Sequence, residues 1–339
     1  MNKTLRRVVT PLLLLGGLLP LAVLAQSEAL TPPMRAHFDQ AVELLNRYRG
    51  DTALLESARV ELGAVLQAHP RHAPSYREMA RYQIMRGHVG SARFQPGALE
   101  TADALITRAL EIEPAFAEAY VLRGHLFKLM HRHQDAVAAL LQAERIGTGD
   151  PWLHNNWADL LIEEGRYDEA ARHYREVIDG STTNRKARAA AFEGLIRYCE
   201  LTGQLPQADE LHRQLLDLEA DSAWRYGSYA HFLLCVLDEP EQAVARARQA
   251  LQRMDYAVGR AWLAAGLYRL WSREVLAGTP EHGQIYLAEA QTLEPDIEAV
   301  IRRARACAPL ASVAKALALG RGDLDAAAEP PLARVARAY

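Results

Sequence analysis

The chain of 339 residues has little cysteine and little lysine. Its three cysteines, Cys199, Cys235 and Cys307, are an odd number and form no C-x-x-C pair, which argues against a disulfide framework or a structural zinc site. They sit in apolar helical runs and read as small buried core residues; a Cys199–Cys235 bridge is the one pairing in view, although equivalent points on successive helical units lie too far apart for it. Lysine occurs only at positions 3, 128, 186 and 315, so arginine carries nearly all of the positive charge. With 39 basic and 42 acidic side chains there is no polybasic face, and nucleic-acid binding is disfavoured. No glycine-rich phosphate loop is present, since "GRGD" at Gly320–Asp323 is short and follows no strand. No G-x-S-x-G elbow accompanies His69, His72 and Ser75 in "HPRHAPSY", which argues against a hydrolase.

The one long apolar run lies at the amino terminus. Lys3, Arg6 and Arg7 precede "VVTPLLLLGGLLPLAVLA", and Val23 and Ala25 are small enough for a cleavage site, so residues 1–25 read as a secretory signal cut before Gln26. A retained anchor fits less well, because the run is short and broken by Gly16, Gly17 and Pro20. No cysteine follows that could be acylated. Cleavage removes three positive charges and leaves 36 − 42, or −6. Export to the periplasm of a Gram-negative bacterium, with no stable membrane insertion afterwards, is the expectation.

Alternating β-branched runs are absent after residue 26, whereas apolar residues recur at three- and four-residue spacing almost throughout, which predicts an all-α protein. In "QDAVAALLQAERI" and "DEAARHYREVI", Ala136 and Ala170 stand 34 residues apart, each followed four residues later by a large side chain, Leu140 or Tyr174. The same small residue can be followed through Ala58, Ala102, Ala208, Ala243 and Gly283, giving steps of 44, 34, 34, 38, 35 and 40. Insertions account for the longer steps: "GHVGSARFQPG" in the second unit, "GSTTNRK" before the fifth and "LAGTPEHG" inside the seventh.

This period, with Tyr120, Gly124, Phe127, Ala136 and Leu140 in one unit, Ala158, Gly165, Ala170 and Tyr174 in the next, and closing prolines at Pro70, Pro114 and Pro295, resembles the tetratricopeptide repeat. The middle units carry Thr148, Thr182, Ala220 and Asp255 at the proline position, and the first and last units match loosely. The resemblance implies a right-handed α-solenoid of about six to seven helix–turn–helix repeats over residues 36–295. A leader over 26–35, capping helices over 296–322 and a flexible tail over 323–339 complete the organisation.

Such a stack curves so that its first helices line a concave groove. In the family register the partner-binding positions are Arg77 and Arg81, then Val121, His125 and Lys128, Trp152, Asn155 and Asp159, Glu193 and Arg197, and Arg225 and Ser228. Amides and cations beside aromatics suit an extended peptide with carboxylates, held by the asparagine and met by the cations. Asn155 and Asn156 are mediocre helix formers placed mid-helix, as though kept for a contact. Arg93 and Phe94, in the insertion of the second unit, offer a second surface.

His125, His131 and His133 cluster without a Cys, Asp or Glu to complete a metal site, and they read as solvated turn histidines. Glu163–Glu164 and Glu239–Glu241 read as solvated helix ends, and the five tryptophans as core or groove wall. No metal or cofactor is implied. The reading is a non-enzymatic scaffold holding a peptide segment or subunit of an envelope assembly. The alternatives are an accessory factor or enzyme with a histidine-containing site, and a self-associating structural protein.

Overall fold

The structure, a computed structural model, describes residues 27–90 and 93–296 together with Cys307. Among these residues fourteen helices follow one another as seven antiparallel pairs, and the only β-type pairing is the bridge between His88 and Phe94. The pairs are α1 (Pro32–Arg47) with α2 (Thr52–Ala68), α3 (Ala73–Gly87) with α4 (Ala98–Ile112), and α5 (Ala117–Leu129) with α6 (His133–Ile146). They continue as α7 (Trp152–Glu163) with α8 (Tyr167–Asp179), α9 (Arg185–Leu201) with α10 (Leu205–Leu218), α11 (Ala223–Cys235) with α12 (Pro240–Arg253), and α13 (Ala257–Leu276) with α14 (Pro280–Leu293). Each helix packs on its neighbours in sequence, and first helices also touch across pairs, as α3 does α5 and α5 does α7. That is an α-solenoid.

Local chemistry sets the boundaries. Pro32, Pro240 and Pro280 open their helices, where a missing N–H costs nothing, and Asp51 and Asn184 cap α2 and α9 through their side chains. Five pairs turn through a left-handed residue: His131 at φ 57°, Gly165 at 76°, Gly203 at 74°, Asp238 at 59° and Gly278 at 82°. After His131, Gly165 and Gly203 the next N–H reaches back five residues, Arg132 to Phe127, Arg166 to Leu161 and Gln204 to Cys199, each at 2.8 Å, satisfying the last carbonyls of the first helix.

The repeat anchors read from sequence all lie in second helices and are buried: Ala58, Ala102, Ala136 and Ala170 are fully enclosed. Their partners on first helices explain the need for small residues. A Cβ on Gly124 would lie 2.4 Å from Leu140 within the same pair, and one on Gly194 would lie 2.1 Å from Tyr174 of the preceding pair. The large position of one helix therefore fills the hole left by the glycine of another.

Several expectations change. Helix α1 begins at Pro32, inside the expected 26–35 leader, and Ser27 and Glu28 are tied to the α2–α3 loop by Ala73 N–H to Ser27 Oγ at 2.9 Å and Glu28 N–H to the Arg71 carbonyl at 3.0 Å. The extra residues of the seventh unit are mostly helix, since α13 runs for 20 residues and only three separate it from α14. Cys235 forms a disulfide with Cys307, which corrects both the reading of the cysteines as core residues and the Cys199–Cys235 alternative; Cys199 is free and buried, as a core residue. The bridge is invisible to spacing because it joins a repeat to a segment 72 residues further on. The signal at 1–25, most of the caps at 296–322 and the tail at 323–339 lie outside the described residues. Among the described residues no helix is long and apolar enough to cross a membrane.

Candidate functional site

First helices α1, α3, α5 and α7 and the start of α9 enclose a concavity of about 460 Å3. Its wall includes Arg77, Arg81, Val121, His125 and Trp152, five of the positions expected from sequence, together with Leu122 and Ile84. Apolar side chains supply contact area, and the arginines supply donors at the rim.

The arginines are held in place by a buried acid. Glu78, 2% exposed, receives Arg77 on one oxygen and Arg81 on the other at 2.5 Å, while Arg77 also reaches Asp150 at 3.4 Å. Burial pushes the Glu78 carboxyl up, but the two guanidinium groups pull it further down, and it ends below its ordinary value. At Asp150 the balance goes the other way: burial outweighs Arg77, and the carboxyl is raised. His125 is lowered to about 4 by burial, with Lys128 adding to the effect, so its ring is neutral at pH 7.

Other expected positions serve the fold. Lys128 and Asp159 pair with each other, and Asp159 also accepts the Tyr174 hydroxyl at 2.7 Å. Arg225 pairs with Glu193 and, at 2.6 Å, with Glu219. Asn155 is 3% exposed and donates to the Ala187 carbonyl at 2.9 Å; Asn156 donates to the Val121 carbonyl at 3.0 Å. The two amides thus staple the fourth repeat to the fifth and to the third. The mid-helix asparagines do make contacts, but with neighbouring repeats, and Asn155 is not part of the concavity's lining. Arg197 and Ser228 are exposed, and Arg197 has no ion-pair partner among the described residues. In the insertion, Arg93 is exposed whereas Phe94 is half-buried with its ring 5.4 Å from that of His88, so only the arginine projects.

Sequence reasoning missed the closure of the groove. Lys186, in the first turn of α9, donates to the carbonyls of Leu45 at 3.2 Å and Tyr48 at 3.3 Å, at the carboxyl end of α1. Arg81 donates to Asn46 Oδ1 at 2.9 Å, and Arg49 lies 3.5 Å from the Glu219 carboxylate. The α1–α2 turn therefore crosses to the fifth repeat, and the lysine caps a helix 141 residues away in sequence. Burial, then the charges of Arg49 and Arg81, lower the Lys186 amine to about 8. One local sign was legible: "NRK" opens a helix with two cations at the positive end of its dipole, an unfavourable choice without a tertiary reason.

The histidines are dispersed. His131 occupies the α5–α6 turn, His133 lies 3.5 Å from Glu163 and 3.4 Å from Glu164, and His125 faces the groove. His72 Nδ1 and Ser75 Oγ are 2.8 Å apart, yet both are buried at the start of α3 and the His72 ring packs on Phe38. That pair has no path to a substrate and braces a helix start. Among the described residues no group of three or more His, Cys, Asp or Glu could hold a metal ion.

No protein-family model matches the chain, and no curated protein sequence resembles it significantly. Solved structures do. Pseudomonas aeruginosa pilF aligns with a TM-score of 0.50 and 19% identity over 68% of this chain and 95% of its own. PilW, a type IV pilus biogenesis factor, aligns at 0.50 and 16% over 68% and 97%. The Cut9–Hcn1 hetero-tetramer of the APC/C aligns at 0.52 and 15% over 69% of this chain and 46% of that one. The fold is that of the tetratricopeptide-repeat proteins.

Proposed function

We propose that this protein is a non-enzymatic scaffold, exported to the bacterial periplasm, whose concave groove holds an extended peptide segment or subunit of an envelope assembly. The observation that carries the reading is the groove itself: half-buried Ile84, Leu122 and Trp152 offer apolar surface beside Arg77 and Arg81, whose guanidinium groups are fixed by buried Glu78. An extended chain needs such a combination, area for alternate side chains and rigid donors for carbonyls or carboxylates. Export is supported by the signal-like amino terminus and by the Cys235–Cys307 disulfide, a bond that persists in oxidising compartments.

Leu122 is the place for a photo-crosslinking residue, because it lines the cavity and Asn155 is enclosed. In the full chain, expressed with its own amino terminus and fractionated, one discrete adduct is expected in the periplasmic fraction, lost in Trp152→Ala and identified by mass as an envelope protein. An adduct formed from position 93 and none from position 122 would move the site to the insertion, and retention of the chain in the cytoplasm would overturn the localisation.

A further inference from the structure

A second concavity, of about 760 Å3, adjoins the groove at Asn46, Asn184 and Lys186. It is composite: Arg49 comes from the first repeat, Arg185 and Lys186 from the start of the fifth, Trp224 from the start of the sixth, and Arg253 and Met254 from the sixth repeat's end. It exists only because the solenoid closes on its first turn.

Its charges are unbalanced. The lining carries four cations, Arg49, Arg185, Lys186 and Arg253, against two carboxylates, Glu219 and Asp221, in a chain whose formal net charge is −3. Glu219 is already shared between Arg49 and Arg225. Three of the cations spend their hydrogens on neutral oxygens: Arg185 on the Leu218 carbonyl, Lys186 on those of Leu45 and Tyr48, and Arg253 on the Ala220 and Gln249 carbonyls at 2.8 Å. Such bonds fix the cations and leave their charge uncancelled, so an arriving carboxylate meets ordered donors. Beside them stand two exposed apolar side chains: Trp224, 48% exposed and tilted on Tyr256 with ring centroids 4.5 Å apart, and Met254, 39% exposed. An aromatic and a thioether on a cationic rim favour a ligand that is anionic and carries an apolar anchor.

We propose that this concavity, which adjoins the groove at Asn46, Asn184 and Lys186, is a docking surface for an acidic protein segment bearing an aliphatic or aromatic anchor residue. The carboxylates of the segment lie along Arg185, Lys186 and Arg253, and the anchor lies on Trp224 and Met254. Trp224, Arg253 and Met254 are not part of the groove lining, so the anchor rests on residues that belong to this surface.

The test uses the full mature chain and a fluorescein-labelled dodecapeptide of glutamates interspersed with leucines, read by anisotropy, beside the same peptide with glutamine for glutamate. Thr183 lines the concavity, is exposed and makes no hydrogen bond through its side chain to Arg185 or Lys186, so changing it leaves the cation contacts intact. Saturable binding is expected, weakened about tenfold by Thr183→Glu, strengthened by Thr183→Lys and weakened about tenfold in the glutamine peptide. Trp224→Ala weakens it about fivefold, while Leu122→Ala in the groove leaves it unchanged. No saturation by about 1 mM, or equal binding of the two peptides, would overturn the proposal. Sensitivity to Leu122→Ala without sensitivity to the Thr183 variants would place the peptide in the groove instead. Tighter binding of phosphatidylglycerol vesicles or of an oligonucleotide, with the same dependence on Thr183, would assign the surface to a different class of partner.

Discussion

The contact of the first repeat with the fifth and the contacts that join the middle repeats rest on different physics. From α7 to α13 a single apolar cluster runs without interruption through Tyr174, Phe192, Leu195, Cys199, Tyr229 and Phe232. The first pair packs on α3 through a smaller apolar cluster of Leu45, Leu55, Leu62 and Tyr82, and its reach across the groove to the fifth repeat is polar: Lys186, Arg81 and Arg49 with their acceptors. Apolar burial is cooperative and insensitive to salt, whereas half-exposed ion pairs contribute little and weaken as salt rises. The middle of the solenoid is therefore welded by apolar burial, whereas the first repeat is latched to the fifth by polar contacts.

The largest effect belongs to the weld. Gly194→Val drives a side chain into the Tyr174 ring, which Asp159 holds by its hydroxyl, and should cost about 3 kcal/mol with aggregation or loss of the cooperative thermal transition. A full-height melting transition at the parent temperature would show that the middle repeats can slide apart at little cost.

Acid attacks the same region. His212, 4% exposed, lies against Tyr229 and Phe232, and its imidazole is lowered to about 3 by burial, with His231 and Arg225 adding to the effect. The unfolded ring binds a proton near its ordinary 6.5 while the folded ring does not, so the unfolded state gains as pH falls from 6.5 toward 3. About 2 kcal/mol should be lost by pH 4.5, measured by denaturant unfolding, and His212→Phe should flatten that slope. An unchanged slope in the variant would shift the acid sensitivity to other groups.

The latch is tested by Lys186→Met. Losing a charge-assisted pair of hydrogen bonds of about 1 kcal/mol should raise amide exchange about fivefold in α1 and the α1–α2 turn, and leave α7–α10 unchanged. A uniform rise along the chain would mean that first and middle repeats open as one unit.

Smallest is a gain. His131 holds a left-handed conformation that glycine takes in the next two pairs, so His131→Gly should stabilise by about 0.5 kcal/mol, read as a small rise in melting temperature. A loss instead would show that the His131 side chain contributes more than its backbone strain costs.

Repetition made the architecture legible. The small residue at Ala102, Ala136, Ala170, Ala208 and Ala243 recurs because every pair meets its neighbours through the same contact, so a local pattern reports a local constraint. Gly124 and Leu140 were recognised as positions of one unit, whereas the fit of Tyr174 against Gly194 of the following pair came from the structure. Groove positions Arg77, Arg81, His125 and Trp152 followed from the register. By itself, then, the sequence determined the helix class and the stacking of successive helix pairs into a solenoid.

Only the tertiary structure decided what the polar residues on the groove face are for. Asn155 and Asn156 bond neighbouring repeats, Lys128 and Asp159 satisfy each other, Cys235 finds Cys307, and Lys186 caps α1 from across the groove. Periodicity says which side of a helix a residue is on. It does not say what stands opposite after the solenoid has turned, because that depends on small rotations summed over several repeats, and a contact between positions 45 and 186 is set by the sum.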